Sequence, residues 1–182
     1  MRQGVIPSQL IETMVTNNQI LITKPLQDDQ VQPASLDLRL GLVAYRVRAS
    51  FLAGGHATVA DRLTEFEMHR IDLSQGAVLE KGCVYLVPLM ESLDLPDDIE
   101  AVANAKSSTG RLDLLTRTIT DYGKEFDRVV KGYNGPLYAE ICPRSFSVLV
   151  RPGMRLNQIR FRKGHAILDD EALTSLHAES PL

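Results

Sequence analysis

Between Gly135 and Phe161 the chain reads GPLYAEICPRSFSVLVRPGMRLNQIRF. Three short apolar runs follow one another here, and the tripeptides Pro-Arg-Ser and Arg-Pro-Gly separate them. Successive side chains of a strand point to opposite faces, and a proline-glycine pair is typical of a turn. The stretch therefore predicts three strands, at residues 137–142, 147–150 and 156–161.

Short apolar runs of the same kind extend upstream and predict a mainly β fold. Further strands are expected at residues 36–47, 84–89 and 99–105. One early helix precedes them, with Ser8 as its predicted N-cap. Its apolar face is formed by Leu10, Ile11, Met14 and Val15.

The length and composition indicate one globular domain. The chain has 182 residues, 44% of them hydrophobic and 24% charged, which fits a single core. We expect the domain at residues 1–165 and a tail or short helix at 166–182, with Ala172, Leu173 and Leu176 facing inward. No apolar run is long enough to span a bilayer and the first residues lack a signal pattern, so we expect no membrane partner and a cytoplasmic location.

Two further features of the sequence are expected to be structurally ordinary. Cys83 and Cys142 each sit in an apolar run, which favours free thiols over a disulfide or a metal site. The segment FLAGGHATVADRLTEFEMHR, residues 51–70, has a Gly-Gly pair and mixed charge and is predicted to be exposed; we call it the excursion. Its His56 and His69 lack partners at metal-binding spacing.

The formal charge of −3 is unevenly distributed along the chain. Residues 106–163 contain 12 Lys/Arg and 5 Asp/Glu, net +7, so the remainder of the 20 basic and 23 acidic residues gives net −10. A basic segment of this kind suits an anionic ligand. The alternative is a solvated cationic face.

The segment QPASLDLRLG, residues 32–41, places Asp37 and Arg39 on the same face of a predicted strand. We expect these two side chains to form an ion pair. On a sheet surface such a pair contributes little, and this structural interpretation is preferred. In the functional alternative the pair positions a neighbouring loop.

The segment AKSSTGRLD, residues 105–113, gathers hydroxyl groups and cations. Ser107 or Ser108 can cap a helical turn, whose free N–H groups attract an anion. Arg111 lies four residues after Ser107 and can bind phosphate as a fork, while Lys106 adds a point charge. The spacing is not that of a P-loop, and an ordinary capped helix start explains the segment equally well.

Glu140 is the best general-base candidate in the chain. It lies in the predicted strand at residues 137–142, where an acidic side chain is seldom left partly buried unless paired. Burial favours the protonated form of a carboxyl group, which brings it toward the range useful in proton transfer. The alternative is a surface glutamate on the wet face of a sheet.

Several known site patterns are absent from the sequence. A zinc-dependent nucleobase deaminase needs His-x-Glu followed by Pro-Cys-x-x-Cys, and neither pattern occurs. There is also no nucleophile elbow and no dinucleotide fingerprint. Aromatic residues make up only 5% of the chain, and no stacking platform for nucleic acid accompanies the basic segment.

Four segments in register resemble the dCTP deaminase branch of the dUTPase superfamily. They are QPASLDLRLG, AKSSTGRLDLL, EFDRVVKGYNGPLYAEI and LVRPGMRLNQIRF, within a match over roughly residues 5–163. The chain is most similar to the N-terminal domain of a longer, two-domain bacterial type. The resemblance implies a distorted β-barrel or jelly roll of the dUTPase type with small additional helices. It also implies a homotrimer with active sites between subunits.

The resemblance also implies roles for individual residues. Ser107, Ser108 and Arg111, with Lys106 beside them, match the triphosphate-binding element. Glu140 matches the glutamate that activates water and transfers protons; with Arg111 and Ser107 it completes the expected catalytic set. Four further substrate-binding residues are implied: Asp127 at the deoxyribose 3′-hydroxyl, Thr120 or Asp121 at the base edge, and Gln158 in the last barrel strand.

The function implied is zinc-independent hydrolysis of dCTP to dUTP and ammonia. Members of the family bind the nucleotide with Mg²⁺ on its phosphates and need no zinc. The resemblance also makes dTTP a candidate inhibitor of this protein. A dUTP diphosphatase, or a bifunctional enzyme that also releases pyrophosphate, is the first alternative because it shares the phosphate motif. A non-catalytic nucleotide-binding or assembly module is the second. Glu140 discriminates between the deaminase and the diphosphatase, since a diphosphatase needs no base at C4.

Overall fold

The computed structural model describes residues 3–164 and 168–181, and in these residues it confirms the mainly β class. The strands are β1 (Gly4–Val5), β2 (Ile20–Ile22), β3 (Val31–Gln32), β4 (Ser35–Arg39), β5 (Val43–Val47), β6 (Glu67–Asp72), β7 (Ala77–Leu79), β8 (Val84–Asp94), β9 (Ile99–Ala105), β10 (Leu114–Thr120), β11 (Arg128–Val129), β12 (Asn134–Pro143), β13 (Val148–Val150) and β14 (Arg155–Lys163). The helices are α1 (Ser8–Thr16), α2 (Val59–Phe66), α3 (Ser107–Arg111) and α4 (Asp170–Glu179). The predicted strand at residues 99–105 matches β9, and residues 137–142, 147–150 and 156–161 lie almost entirely in β12, β13 and β14.

The strands form two six-stranded sheets and one small two-stranded sheet. The first sheet has the order β11-β9-β14-β4-β3, with β1 added to β14. The second has the order β10-β12-β8-β5-β6, with β2 added to β8, and β13 pairs with β7 in the small sheet. All of these pairings are antiparallel, as expected for a chain with short turns between its strands.

The main core draws residues from both large sheets and from α1. Alternation places Leu36 and Leu38 of β4 in this core, while the intervening Asp37 points to the other face and is also buried. The cluster contains Ile6, Ile11, Met14, Ile20, Leu36, Leu38, Leu93, Leu95, Ile99, Ala101, Ala103, Val129, Tyr133, Leu137, Ile159 and Phe161. Burial of these aliphatic and aromatic side chains is the main term that stabilises the fold.

The predicted strand at residues 36–47 is two strands, because the chain bends at Gly41. A Cβ atom at Gly41 would lie 2.6 Å from the backbone oxygen of Pro88, so only glycine fits this approach of β4 toward β8. The Gly41 N–H donates to the same oxygen at 2.8 Å. After the bend the chain leaves the first sheet and joins the second as β5.

A buried polar network joins the two large sheets. Asn157 of β14 accepts a hydrogen bond from the Thr116 hydroxyl at 2.6 Å and donates to the Thr118 hydroxyl at 3.3 Å. All three residues are nearly inaccessible to solvent. Because each polar atom has a partner, the network fixes the position of β10 without an unpaired buried group.

Two details of the helices differ from the predictions. Pro7, not Ser8, occupies the N-cap position of α1, and no side chain caps that helix. The tail predicted after residue 165 contains α4, but none of its residues is buried, so Leu173 and Leu176 do not face inward. Residues 165–167 and 182 lie outside the described residues.

The excursion is packed against the second sheet and is not an exposed loop. Its Phe51, Val59 and Leu63 are buried in a cluster with Ile119 and Tyr138. The excursion contains α2, which begins with a capping box, and the first residues of β6. Sequence inspection did not identify the helix α2, because its few apolar residues are interspersed with charged ones. The buried residues have helical spacing and form one apolar face.

Candidate active site

The helix α3 carries the hydroxyl and cation cluster. It is a single turn anchored to the first sheet by Thr109, whose hydroxyl donates to the Leu156 carbonyl at 3.0 Å. Lys106 stands at the N-cap position, so the predicted serine cap is wrong, and its side chain makes no capping hydrogen bond. Ser107 and Ser108 are exposed, and within the described ranges their hydroxyls and N–H groups have no protein partner.

Arg111 closes the same turn and is exposed. Its guanidinium has no ion pair or hydrogen bond to any residue that the structure describes. Arg111 and the two serines therefore offer charge and donor groups on one helical turn, in the combination that binds phosphate.

The side chain of Lys106 is held by a buried carboxylate of the first sheet. Its ammonium group forms an ion pair with Asp37, whose side chain is only 2% exposed. Arg155 approaches the same carboxylate at 3.6 Å and also contacts Asp29 at 2.8 Å. The predicted Asp37–Arg39 pair is therefore wrong, and Asp37 instead connects β4 to the start of α3.

Arg39 belongs to a separate buried pair. Its Nε donates to Glu91 at 2.6 Å, and its two terminal nitrogens donate to the carbonyls of Pro25 and Lys24. Gln30 donates to the same glutamate at 2.9 Å. This network is fully hydrogen-bonded and lies away from solvent, as a stable buried ion pair requires.

Gln158 lies at the α3 end of the first sheet. It is opposite Asp37 of β4 and Asn104 of β9 in the strand register, and its amide oxygen accepts from the Ser35 hydroxyl at 3.3 Å. The structure thus brings Gln158 close to the carboxylate that holds Lys106.

Glu140 lies in the middle of β12, between β10 and β8, and is only 3% exposed. It is directly opposite Arg117 of β10. Both Nε, at 3.0 Å, and Nη2 of Arg117 donate to the same carboxylate oxygen, Oε1. Within residues 3–164 and 168–181, no group donates to Oε2.

Arg117 is a residue that sequence inspection missed. Its guanidinium carbon lies 3.6 Å from the centre of the Phe126 ring, and Nη2 also donates to the Ser50 hydroxyl at 3.0 Å. The available signal was a single cation inside the strand LLTRTIT. Its partner is 23 residues away, and only the strand register identifies it.

Asp127 is close to this pair. It has a left-handed backbone (φ 61°) and its Oδ1 accepts the Thr118 N–H at 2.7 Å. Burial raises the pKa of Asp127, although the Thr118 hydrogen bond and the Arg117 charge act in the opposite direction; the neighbouring Glu140 charge also raises it.

Thr120 and Asp121 line a cavity of about 630 Å³, together with Tyr122, Lys124 and Tyr133. The Asp121 Oδ1 accepts the N–H of Val59 at 2.7 Å, so the carboxylate holds the first turn of α2. Burial raises the pKa of Asp121, against the effect of this hydrogen bond. Asp121 therefore has a structural partner, whereas the hydroxyl of Thr120, a residue that is 4% exposed, has no hydrogen-bond partner among the described residues.

The predicted site residues form two groups within one chain. Lys106, Ser107, Ser108, Arg111 and Gln158 make the first group, which we call the α3 group. The second comprises Thr120, Asp121, Asp127 and Glu140, together with Arg117, and we call it the Glu140 group. The two groups lie at different positions along β10. Leu114 is next to α3 and Arg117 is opposite Glu140, and these two residues are three strand residues, about 10 Å, apart.

Comparison with known proteins identifies the family of the chain. Residues 2–165 match the sequence model of the 2′-deoxycytidine 5′-triphosphate deaminase (DCD) N-terminal domain. The chain therefore belongs to the dCTP deaminase N-terminal domain family.

Individual relatives agree with this assignment. The chain is 30% identical over 145 residues to a dCTP deaminase of Halorubrum lacusprofundi, covering 78% of this chain and 68% of the relative. It is 30% identical over 146 residues to a protein of Dictyoglomus turgidum named as a dUMP-forming dCTP deaminase, covering 79% and 72%. Both similarities extend over most of each chain.

A solved structure shows the same fold. The crystal structure of 2′-deoxycytidine 5′-triphosphate deaminase from Agrobacterium tumefaciens superposes with a TM-score of 0.94 at 54% identity. The match covers all of this chain and 55% of the Agrobacterium chain, so the present chain spans about half the length of that relative.

Proposed function

We propose that the protein catalyses the hydrolytic deamination of dCTP to dUTP and ammonia. The observation that carries the proposal is Glu140: a buried strand carboxylate with one oxygen held by Arg117 and the other, Oε2, without a donor among the described residues. A base of this kind is what attack of water at a ring carbon requires. The membership of the family and the Agrobacterium structure support this proposal.

The α3 group would bind the triphosphate. The Ser107 and Ser108 hydroxyls donate hydrogen bonds to phosphate oxygens, and Arg111 forms charge-assisted bonds with them. Lys106, held by Asp37, contributes a fixed positive charge. Mg²⁺ carried on the nucleotide phosphates, as the family resemblance implies, would neutralise part of their charge.

The Glu140 group would bind the nucleoside. We assign Asp127 to the deoxyribose 3′-hydroxyl, because its second carboxylate oxygen has no partner among the described residues. Thr120 and the backbone of the following turn are assigned to the edge of the cytosine ring. Asp121 supports this turn through its bond to α2 and is not assigned a direct contact with the base.

The reaction balances with one water molecule. Glu140 takes one proton from water as the water oxygen bonds to C4, and it passes this proton to the ring nitrogen N3. Glu140 then takes the remaining hydroxyl proton and passes it to the amino nitrogen, so that C4 becomes a carbonyl, the C4–N bond breaks and ammonia leaves. The carboxylate is regenerated, so dCTP and water give dUTP and ammonia.

Assembly of the site between copies of the chain is part of the proposal because the family resemblance implies it. Within one chain α3 and Glu140 are separated by about 10 Å of extended strand. In the trimer that we propose, α3 of one subunit faces Glu140 of its neighbour. The triphosphate and the base of one nucleotide are then bound by different subunits.

The substitution Glu140→Gln tests the proposed reaction. The amide oxygen still accepts from Arg117, so the strand pairing is preserved, but no base remains. We expect release of ammonia from dCTP to fall by about 100- to 10,000-fold. Binding of dCTP, measured by isothermal titration, should change little.

Glu100→Gln is the matched control, since Glu100 is a partly buried glutamate in a strand of the first sheet. It should leave ammonia release unchanged. Wild-type protein that binds dCTP without releasing ammonia would instead support a non-catalytic binding module.

A second candidate is a bifunctional enzyme that also releases pyrophosphate. The observation in its favour is that several relatives, including those of Dictyoglomus turgidum and Beutenbergia cavernae, are named as dUMP-forming dCTP deaminases. Product analysis separates the two: dUTP and ammonia support the deaminase, whereas dUMP, pyrophosphate and ammonia support the bifunctional enzyme.

A further inference from the structure

We propose that Arg117 is a positioning residue for deamination: it holds one oxygen of Glu140 so that the other, Oε2, receives the proton of the attacking water. This inference rests on the function proposed above. It concerns a residue outside the Ser-Ser-x-x-Arg segment and assigns different tasks to the two oxygens of one carboxylate.

The contact between the two side chains carries the inference. Both donors of Arg117 converge on Oε1, so the guanidinium does not grip the two oxygens as a fork. Oε2 has no donor in the described part of the chain, although the Glu140 side chain is only 4% exposed. No polar side-chain atom of the described residues is both fully buried and unpaired, so Oε2 retains access to solvent. A water molecule can reach this oxygen, and Oε1 is already occupied.

Arg117 is itself held from three directions. Glu140 accepts from it on one side, the Phe126 ring packs against the flat face of the guanidinium, and the Ser50 hydroxyl accepts from Nη2. A guanidinium on an aromatic face is favourable and restricts rotation of the side chain. These contacts fix the position of the Arg117 guanidinium, and its hydrogen bonds in turn fix the position of the Glu140 carboxylate.

The neighbouring charges explain why this restraint matters. Asp127 is a second carboxylate in this region: burial is the main cause that raises its pKa, the Thr118 hydrogen bond and the Arg117 charge lower it, and the charge of Glu140 adds to the rise. Without Arg117 the two groups repel each other, and the Glu140 side chain is free to rotate away. A misplacement of about 1 Å lowers the rate of a reaction about 100-fold.

The substitution Arg117→Ala, with guanidinium ion added back, tests the inference. We expect kcat for ammonia release to fall about 100-fold while KM for dCTP changes less than about threefold. The reason is that Arg117 contacts the general base, Glu140, and not the substrate. Guanidinium chloride at low millimolar concentration should restore kcat at least about tenfold, since the small ion can occupy the vacated position. Arg117→Lys should give an intermediate kcat, because it keeps the charge and loses the planar donors.

Arg70→Ala is the matched control. Arg70 also pairs with a glutamate, Glu67 at 2.8 Å, and lies over an aromatic ring, Tyr45, but it is on β6 and largely exposed. It should retain the wild-type kcat and show no response to guanidinium.

The outcomes separate this inference from the proposed function. An active wild type together with a wild-type kcat in Arg117→Ala overturns the positioning role alone, as does a loss of kcat that guanidinium does not restore. A wild type that releases no ammonia from dCTP overturns the proposed function itself.

Discussion

A buried carboxylate is paired with a partly exposed cation beside the α3 group, as Asp37 with Lys106, and within the Glu140 group, as Glu140 with Arg117, yet the charge balance of the two regions is opposite. Around α3 there are two carboxylates, Asp29 and Asp37, which pair with Lys106 and Arg155, and a third cation, Arg111, which has no ion pair among the described residues. Around Glu140 the balance is reversed, because Arg117 stands beside both Glu140 and Asp127.

This difference shows what each region can bind. A surplus of positive charge with free hydroxyl groups suits a triphosphate. A surplus of carboxylate suits a step in which a proton must be taken up and returned. In the proposed function the same type of ion pair serves opposite purposes: Asp37 would position a cation for the triphosphate, whereas Arg117 would position the Glu140 carboxylate for the reaction.

The largest effect on ligand binding is expected from Arg111→Gln, which tests whether the region around α3 is the one that binds phosphate. Loss of a charge-assisted contact to phosphate should weaken dCTP binding about 10- to 100-fold. Titration with 2′-deoxycytidine, which has no phosphate, should show no such loss. The control Arg70→Gln should bind dCTP like the wild type. Equal weakening for dCTP and 2′-deoxycytidine would place Arg111 outside the phosphate site.

A smaller effect, on stability, is expected from Asp37→Asn. Asp37 is faced by two cations, whereas Glu140 is faced by one. Breaking the Asp37 pairs should lower the free energy of unfolding by about 1–3 kcal/mol, less than for a fully buried pair because the Lys106 side chain is 26% exposed and can be rehydrated.

Urea unfolding measures this cost, and Glu140→Gln provides the comparison within the same protein. Glu140→Gln should lower the free energy of unfolding less than Asp37→Asn does, and it should lower the rate of ammonia release far more. The reverse order of stability would show that Glu140 is mainly a structural residue.

The smallest effect is a pH dependence of opposite sign at Asp127 and Asp29, which both have a left-handed backbone. Burial raises the pKa of Asp127 above its ordinary 3.8, so its contribution to stability is present below that value and is lost as the pH rises through the raised pKa. Asp127→Asn should therefore raise Tm at pH 7 by a few degrees at most, with a smaller gain near pH 4.

Asp29 should behave in the opposite way. The hydrogen bond from Arg155 lowers the pKa of Asp29 below 3.8, so its contribution is present above that value and is lost as the pH falls through the lowered pKa. Asp29→Asn should lower Tm at pH 7, with a smaller loss below pH 4. Thermal scans of both variants between pH 3 and pH 7 check the two signs. Parallel trends would contradict them.

The sequence predicted those features that depend on local patterns. Alternation located β9 and most of β12 and β14, and the hydroxyl-cation cluster proved to be a helical turn with its serines and Arg111 exposed. Glu140 was identified because a lone acidic residue in an apolar strand needs a partner.

The partners themselves could not be predicted, because they depend on register and on contacts between distant segments. Asp37 pairs with Lys106 and not with Arg39, two residues away, since Arg39 finds Glu91 on another strand. The Arg117–Glu140 pair likewise exists only once β10 and β12 are aligned. The assignment of the other site residues to substrate remains a prediction.

The excursion makes two backbone hydrogen bonds to the turn after β10: Gly54 donates to the Gly123 carbonyl at 2.9 Å, and Tyr122 donates to the Ala57 carbonyl at 3.1 Å. The turn next to the proposed base site is therefore shaped by a segment outside both residue groups. Insertions or deletions in residues 54–58 are therefore expected to alter the turn next to the proposed base site, whereas Phe51 and Ala53 are buried against the second sheet and tie the segment to it.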